Sequence, residues 1–185
     1  MPSSNPVQRA VSLLLAGALL LAAGAWLWDM PMVRALTEKL RLSRMPAPLE
    51  VPVPVASVLA KRIADTWGAA RSSGRTHQGV DIFAARGTPV LSATRGVVAR
   101  VGESSIGGKH VWVIGPGGER HYYAHLDDWA PGLHRWQVLR AGDPLGFVGS
   151  TGNARGTPPH LHYGIYAVGG ALNPHPRLGD AAAAP

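Results

Sequence analysis

The sequence predicts a mainly β domain, built on an antiparallel sheet or sandwich and preceded by an N-terminal transmembrane or signal helix. The 185-residue chain contains 23 glycines and 16 prolines, a composition that favours short strands and turns over long helices. From about residue 59, short apolar runs such as GVVARVG, KHVWVIG and HLHYGIY are separated by turn residues, which is the pattern of an antiparallel sheet. The segment GPGGE at residues 115–119 predicts a hairpin connection within that sheet.

The first 28 residues are predicted to be a signal anchor or transmembrane segment. Residues 10–28 are 19 uncharged, mostly apolar residues, and a membrane span needs about 20. A cleaved signal peptide is the alternative, because Ala23 and Ala25 fit a cleavage site. The apolar run continues through residues 26–28, which favours an uncleaved anchor. Basic residues between positions 34 and 44 do not support export under the positive-inside rule, so the expectation of export rests on the chemistry described below.

Residues 29–58 are predicted to form a juxtamembrane helix followed by a proline-rich linker. Within residues 29–45, Val33, Leu36 and Leu40 share one helical face, which suits either a helix lying on lipid or a simple spacer. The proline and apolar residues that alternate at 45–58 indicate either an extended linker or the first edge of the domain. Residues 59–178 are then the globular domain, and residues 179–185 are predicted to be a disordered tail.

Charge and cysteine content narrow the classes of function. The formal net charge is +7, which is typical either of a solvated basic surface or of attraction to an anionic polymer or membrane. Nucleic-acid binding is not expected, because no basic block interleaved with aromatic residues is present. The chain has no cysteine, so structural disulfides, cysteine zinc sites and thiol catalysis are excluded.

Two short segments offer metal ligands. His160 and His162 lie in a predicted strand, where residues i and i+2 project to the same face. Both can bind one metal, or one can bind while the other stands beside the open position. His77 and Asp81, in THQGVDIF, offer the nitrogen and oxygen ligands that zinc accepts.

A third segment, HYYAHLDD, adds His125, and strand alternation predicts that His125 and Tyr123 share a face. Together the three segments supply three metal ligands, a fourth position for water and spare histidines, which is what a hydrolytic zinc site needs. The sequence has no HExxH motif, so no glutamate base is presented on a metal-binding helix. Histidine, with an ordinary pKa near 6.5, is suited to take the proton from water.

Residues from about 66 to 175 resemble the lysostaphin-type zinc metallopeptidases, which are peptidoglycan endopeptidases. The resemblance rests on the H-x-x-x-D of THQGVDIF, on HYYAHL as a match to Y-x-H-L, and on the run AGDPLGFVGSTGNARGTPPHLHYGIY. Arg95 departs from the family, which often has an acidic or amide residue at that position.

The resemblance implies roles for six residues. Three are implied as ligands of one zinc ion: His77, Asp81 and His162. Two are implied as a catalytic pair that does not bind the metal: His125 and His160. Which of that pair is the general base is left open. Tyr123 is implied to hydrogen-bond the oxyanion, with core packing as the alternative.

The resemblance also implies a function, a substrate and a location. The expectation is a zinc-dependent metalloendopeptidase that hydrolyses amide bonds in the stems or cross-links of peptidoglycan. It would associate with the inner membrane through the N-terminal helix and act in the periplasm or cell envelope, or be secreted after signal cleavage. Whether a regulatory protein partner gates the site is left open.

Two other classes of protein remain alternatives. One is a non-enzymatic module that binds the cell wall or regulates an amidase on the same fold. The other is a metal-storing or sugar-binding β-barrel. The remaining histidines are expected at the surface: His110, His121, His134 and His175.

Overall fold

Two helices precede the sheet. The structure, a computed structural model, describes residues 5–71 and 74–180, so the predicted tail lies outside the described residues from position 181 onward. Helix α1 spans Pro6–Asp29 and α2 spans Pro31–Ser43. By length and composition alone, Pro6–Trp26 is long and apolar enough to cross a membrane. Met30 is extended (φ −62°, ψ 129°) and Pro31 follows it at the start of α2, where the fixed φ of proline suits a helix start. The chain therefore bends between α1 and α2.

Helix α2 packs on the domain that follows it. Ala35 and Leu42 are fully buried and form an apolar cluster with Val97. Glu38 on the same side of the helix accepts a hydrogen bond from the Nε–H of Arg95 at 2.5 Å. Arg95, which departs from the family pattern, therefore has a partner in this chain that is supplied by α2.

The predicted apolar face of α2 is a different one from the face that packs. Leu36 and Leu40 are 47% and 54% exposed, and Val33 is partly exposed. The sequence pattern identified the helix correctly, but it did not identify Ala35 and Leu42 as the buried residues. Those two lie seven residues apart, which is two turns of a helix, and a single alanine contributes little to an apolar pattern.

Nine of the eleven strands in the described residues form one antiparallel sheet, and the first and last strands pair with each other. In chain order the strands are β1 (Val51–Pro52), β2 (Val80–Phe83), β3 (Pro89–Leu91), β4 (Gly96–Ser104), β5 (Gly108–Ile114), β6 (Arg120–Trp129), β7 (Val138–Leu139), β8 (Pro144–Val148), β9 (His160–Ala167), β10 (Gly170–Leu172) and β11 (Leu178–Gly179). The main path of the sheet runs β10-β9-β6-β5-β4-β7, with β2 beside β9 and with β8 between β3 and β6. The prediction of a mainly β, antiparallel fold with an N-terminal apolar helix is confirmed.

The proline-rich segment is the first edge of the domain. Val51, Val53 and Val55 are buried in the main core, because every second residue of this extended segment faces inward. Strand β1 pairs in parallel with β11, and the Asp180 carboxylate accepts a hydrogen bond from the backbone N–H of residue 60 at 2.6 Å. The structure thus places the start of the domain before the predicted boundary at residue 59. It also places Gly179 and Asp180 in the domain and not in a disordered tail.

Strand β9 divides the core from the functional face. Leu161, Tyr163 and Ile165 are fully buried in the core, while His160 and His162 line a groove on the opposite face. This two-residue alternation is the one predicted for HLH.

Candidate active site

The pairing of β2 with β9 brings the predicted metal ligands together. Asp81 lies directly opposite His162 in the antiparallel register, and paired residues project to the same face of a sheet. His77 lies just before β2. Its backbone N–H donates to the carbonyl of Ala69 at 2.9 Å, and its carbonyl accepts from the N–H of Gly68 at 2.9 Å. The turn at residues 66–70 therefore fixes the first ligand beside the other two.

The three candidate ligand atoms form a small triangle. His77 Nε2 lies 2.8 Å from His162 Nδ1 and 3.0 Å from Asp81 Oδ1, and His162 Nδ1 lies 3.2 Å from Asp81 Oδ1. Ligands bound to tetrahedral zinc at 2.0–2.1 Å are roughly 3.3 Å apart. The triangle is therefore within about half an ångström of that spacing. A divalent ion would satisfy all three atoms at once, and two imidazoles with one carboxylate are a donor set that fits zinc.

Thr66 holds two of these residues through separate groups. Its carbonyl lies 2.6 Å from His77 Nδ1, and a carbonyl only accepts, so Nδ1 carries the proton and Nε2 keeps its lone pair for a metal. The Thr66 hydroxyl accepts a hydrogen bond from the backbone N–H of Asp81 at 3.0 Å. Sequence reasoning did not find Thr66, because neither contact follows a recognisable spacing.

The two remaining histidines face the same groove with fixed tautomers. His125 Nδ1 lies 2.9 Å from the carbonyl of Thr151, and His160 Nδ1 lies 2.9 Å from the carbonyl of Pro158. Both Nδ1 atoms therefore donate, which leaves Nε2 of each ring as a proton acceptor. The ring centroids of His125 and His160 are 5.1 Å apart, and that of His125 is 5.9 Å from His162. The structure thus brings all five predicted histidine and aspartate residues into one groove.

A bulge in β6 turns His125 into the groove. His125 has φ 63°, a left-handed conformation that is uncommon for residues other than glycine and is often found at functional sites. The register between β5 and β6 shifts at this point, as an extra residue in one strand requires. Ala124 and His125 consequently both line the groove, although they are consecutive residues.

Because of the same bulge, Tyr123 lies on a different face of β6 from the one predicted. Tyr123 is completely buried in the core, and its hydroxyl accepts a hydrogen bond from the backbone N–H of Ala93 at 3.0 Å. It does not share a face with His125, so the predicted oxyanion contact is not available to it. Tyr122 lines the groove instead, with its ring centroid 5.9 Å from that of His162.

Burial and hydrogen bonding set the charges of the site. Burial alone would raise the pKa of the Asp81 carboxyl, but hydrogen bonds to His162 and His77 outweigh that effect and hold its pKa well below the usual range. Arg71 also pairs with Asp81, through Nη2 and Oδ2 at 2.5 Å. Burial, together with the neighbouring His162 and His160, lowers the pKa of His125 to about 4. At neutral pH, Asp81 is therefore ionised and His125 is uncharged and able to accept a proton.

The groove that contains these residues has a volume of about 740 Å³. Phe83 and Ile106 lie at its rim and are 58% and 53% exposed. The Phe83 ring packs beside His160, with centroids 5.2 Å apart. These apolar rim residues were not identified from the sequence.

The chain is similar to several bacterial endopeptidases. It is 38% identical over 138 residues to the L-Ala–D-Glu endopeptidase of Bacillus subtilis, which covers 69% of this chain and 42% of the relative. It is 38% identical over 100 residues to the DD-carboxypeptidase/endopeptidase Mpg of Neisseria meningitidis, which covers 54% of this chain and 22% of the relative. The chain spans less than half the length of these relatives.

Two solved structures share the fold. Csd3 of Helicobacter pylori aligns with a TM-score of 0.59 and 31% identity, over 73% of this chain and 36% of that chain. The catalytic domain of lysostaphin from Staphylococcus simulans aligns with a TM-score of 0.55 and 30% identity, over 62% of this chain and 89% of that domain.

The sequence pattern of peptidase family M23 matches residues 75–174. That range is more than half of the chain and contains the five histidine and aspartate residues of the groove. The resemblance to lysostaphin-type peptidases is thereby confirmed, and both curated relatives carry the names of endopeptidases. The chain belongs to peptidase family M23.

Proposed function

We propose that this protein is a zinc-dependent endopeptidase that hydrolyses amide bonds in the peptide part of peptidoglycan, at the outer side of the membrane that its N-terminal helix spans. The observation that carries the proposal is the triangle of His77, Asp81 and His162 ligand atoms, 2.8–3.2 Å apart, beside two histidines that present free Nε2 atoms. These residues support zinc, because the nitrogen and oxygen donors match its ligand preference and leave one position for water.

The metal would supply Lewis-acid activation of a water and of the scissile carbonyl. His125 is uncharged at neutral pH and its Nε2 is free, so we assign it and His160 to proton transfer. One of them accepts a proton as the oxygen of water bonds to the carbonyl carbon. As the carbon–nitrogen bond breaks, a proton passes to the leaving amine. Such proton transfer by a positioned side chain is worth about 10²–10⁴-fold in rate.

The groove suits an extended peptide. Its rim residues Phe83 and Ile106 offer apolar contacts, and the basic character of the chain, with a net charge of +7, suits an anionic wall polymer. The B. subtilis and N. meningitidis relatives are named an L-Ala–D-Glu endopeptidase and a DD-carboxypeptidase/endopeptidase. These names refer to peptide bonds that contain D-amino acids, and such bonds are those of peptidoglycan peptides, which supports that substrate for this chain.

The full chain, purified in detergent and loaded with zinc, tests the proposal. It is incubated with isolated peptidoglycan, and the released fragments are profiled by mass spectrometry. New amine and carboxyl ends at one peptide bond are the expected products. His162→Ala should lose both zinc and cleavage. His125→Ala should keep zinc and lose about 10²–10⁴-fold in rate.

His134→Ala is the matched control, because His134 is exposed and outside the groove, and it should cleave like the wild type. Cleavage that persists in a His162→Ala protein without zinc would overturn the proposal. Binding of peptidoglycan without any new peptide ends would favour the non-enzymatic wall-binding module.

A further inference from the structure

Helix α2 has a second apolar face that no described part of the chain covers. Met32, Leu36 and Leu40 are 52%, 47% and 54% exposed, and their spacing of four residues places them along one side of the helix. Ala35 and Leu42, on another side, are fully buried against the domain. The helix therefore packs on the domain with one face and presents an apolar stripe, defined by Met32, Leu36 and Leu40, with another.

The stripe continues from a helix that suits a membrane. Helix α1 ends at Asp29, and α2 begins after the single extended residue Met30. Trp26 and Trp28, the last large side chains described before the bend, are 64% and 62% exposed. Tryptophan is enriched at the boundary between lipid and water. If α1 spans the bilayer, the bend places α2 at that boundary.

Basic residues border the stripe. Lys39 follows Leu36 by three positions. Arg44, the C-cap residue just past the end of α2, follows Leu40 by four, and both side chains are exposed. Apolar residues between lysine and arginine on one helix are the pattern of a helix that lies in the plane of an anionic membrane surface. A soluble acidic partner would not need the apolar stripe.

We propose that α2 lies in the interface of an anionic lipid bilayer, with Met32, Leu36 and Leu40 inserted at the boundary of the acyl chains. The inference rests on the membrane anchor of the proposed function. Through Leu42 and the Glu38–Arg95 ion pair at 2.5 Å, the same helix holds the peptidase domain. The lipid surface would thus fix the orientation of the domain, where a free tether would let it turn.

Site-directed labelling tests this, because the chain has no cysteine of its own. The full chain is reconstituted into vesicles of phosphatidylcholine and phosphatidylglycerol in equal parts, as the single-cysteine variants Leu36→Cys, Thr37→Cys and Leu14→Cys. Each variant carries a nitroxide spin label. Collision with oxygen and with a water-soluble nickel chelate then gives the depth of each label.

The label at position 36 should lie roughly 5–10 Å below the headgroups. The label at position 37 should remain in water, because Thr37 is exposed and lies about 100° further around the helix. A label at position 14, in α1, should lie within the hydrocarbon. Vesicles of phosphatidylcholine alone should hold less of the position 36 label in the bilayer, since the basic residues lose their lipid partners.

The inference would be overturned if the label at position 36 collided with the nickel chelate as often as the label at position 37 does. Spin–spin broadening at position 36 that disappears on dilution with unlabelled protein would also overturn it, because it would place a second copy on the stripe. A label at position 14 that lies in water would overturn the inference together with the proposed membrane anchor.

Peptidoglycan cleavage is measured on the same vesicles. If the protein still cleaves peptidoglycan while the label at position 36 is in water, only the proposed lipid contact is refuted. If the label at position 36 is buried in the bilayer but cleavage is lost, only the proposed activity is refuted.

Discussion

Adding a single methyl group at Gly79 should weaken metal binding without changing any ligand. A Cβ at this position would lie 2.6 Å from His162 Cε1 and 2.6 Å from the carbonyl oxygen of Tyr163. Carbon atoms that are not bonded prefer about 3.5–4.0 Å, so the overlap with the imidazole is about 0.9 Å. Gly79 is not among the residues with positive φ, so its backbone conformation accepts an alanine and the effect comes from the collision.

Neither neighbour of the new methyl can yield without damage. The Tyr163 backbone is held in β9, which pairs with β2 and β6. The His162 ring must therefore move, and a shift near 0.9 Å far exceeds the tolerance of about 0.2 Å for a metal ligand. We expect Gly79→Ala to weaken zinc binding by about 10–100-fold and to cost about 1–3 kcal/mol of unfolding free energy.

Competition with a chromophoric zinc chelator measures the zinc affinity, and fragment release from peptidoglycan measures the activity. Gly102→Ala is the matched control, because its new methyl would lie 3.3 Å from Arg100 Nε, the far end of a flexible side chain. That variant should bind zinc and cleave like the wild type. If Gly79→Ala binds zinc as tightly as the wild type, the His162 ring does not lie against Gly79 in the metal-bound protein.

Three further predictions address the metal, the core and the pH dependence. Removal of the metal with a chelator should abolish cleavage and zinc should restore it, whereas magnesium should not, because it prefers oxygen ligands; activity in the chelator would contradict the zinc assignment. Tyr123→Phe should lower the unfolding free energy by about 1–3 kcal/mol, because the buried N–H of Ala93 loses its acceptor. The same variant should leave kcat unchanged, and a fall in kcat would show that Tyr123 takes part in catalysis. Burial lowers the pKa of His121 to about 3 from its ordinary 6.5. At pH values below 6.5 the unfolded chain therefore binds more protons at this residue than the folded chain does. Wild-type stability should therefore fall by about 2 kcal/mol between pH 7 and pH 5 through this group. His121→Gln should lack that part of the fall in urea unfolding, and His134→Gln should retain it; equal slopes in all three proteins would refute the buried, uncharged histidine.

Strand alternation was enough to predict one face of the site. His160 and His162 follow the two-residue period of β9, with Leu161 and Tyr163 in the core between and after them, so the sequence spacing carried over directly into space. The fold class followed from the same kind of pattern. The pairing of Asp81 with His162 did not, because strand register depends on contacts between distant segments.

The errors have identifiable physical causes. His125 adopts a left-handed conformation without being glycine, so nothing in HYYAHL marks the bulge that separates its face from that of Tyr123. His121, expected at the surface, is completely buried, with its Nδ1 2.8 Å from the Tyr163 hydroxyl. A polar side chain can be buried when a distant residue supplies its hydrogen-bond partner. Sequence spacing does not reveal which distant residue that is.

The two contacts of Thr66 mean that the groups that arrange the site begin earlier in the chain than the family pattern does. The family pattern starts at residue 75, yet the groups that aim His77 and anchor the backbone of Asp81 belong to residue 66. A fragment trimmed to the matched stretch would keep every ligand and still present the first of them to the metal as a freely rotating ring.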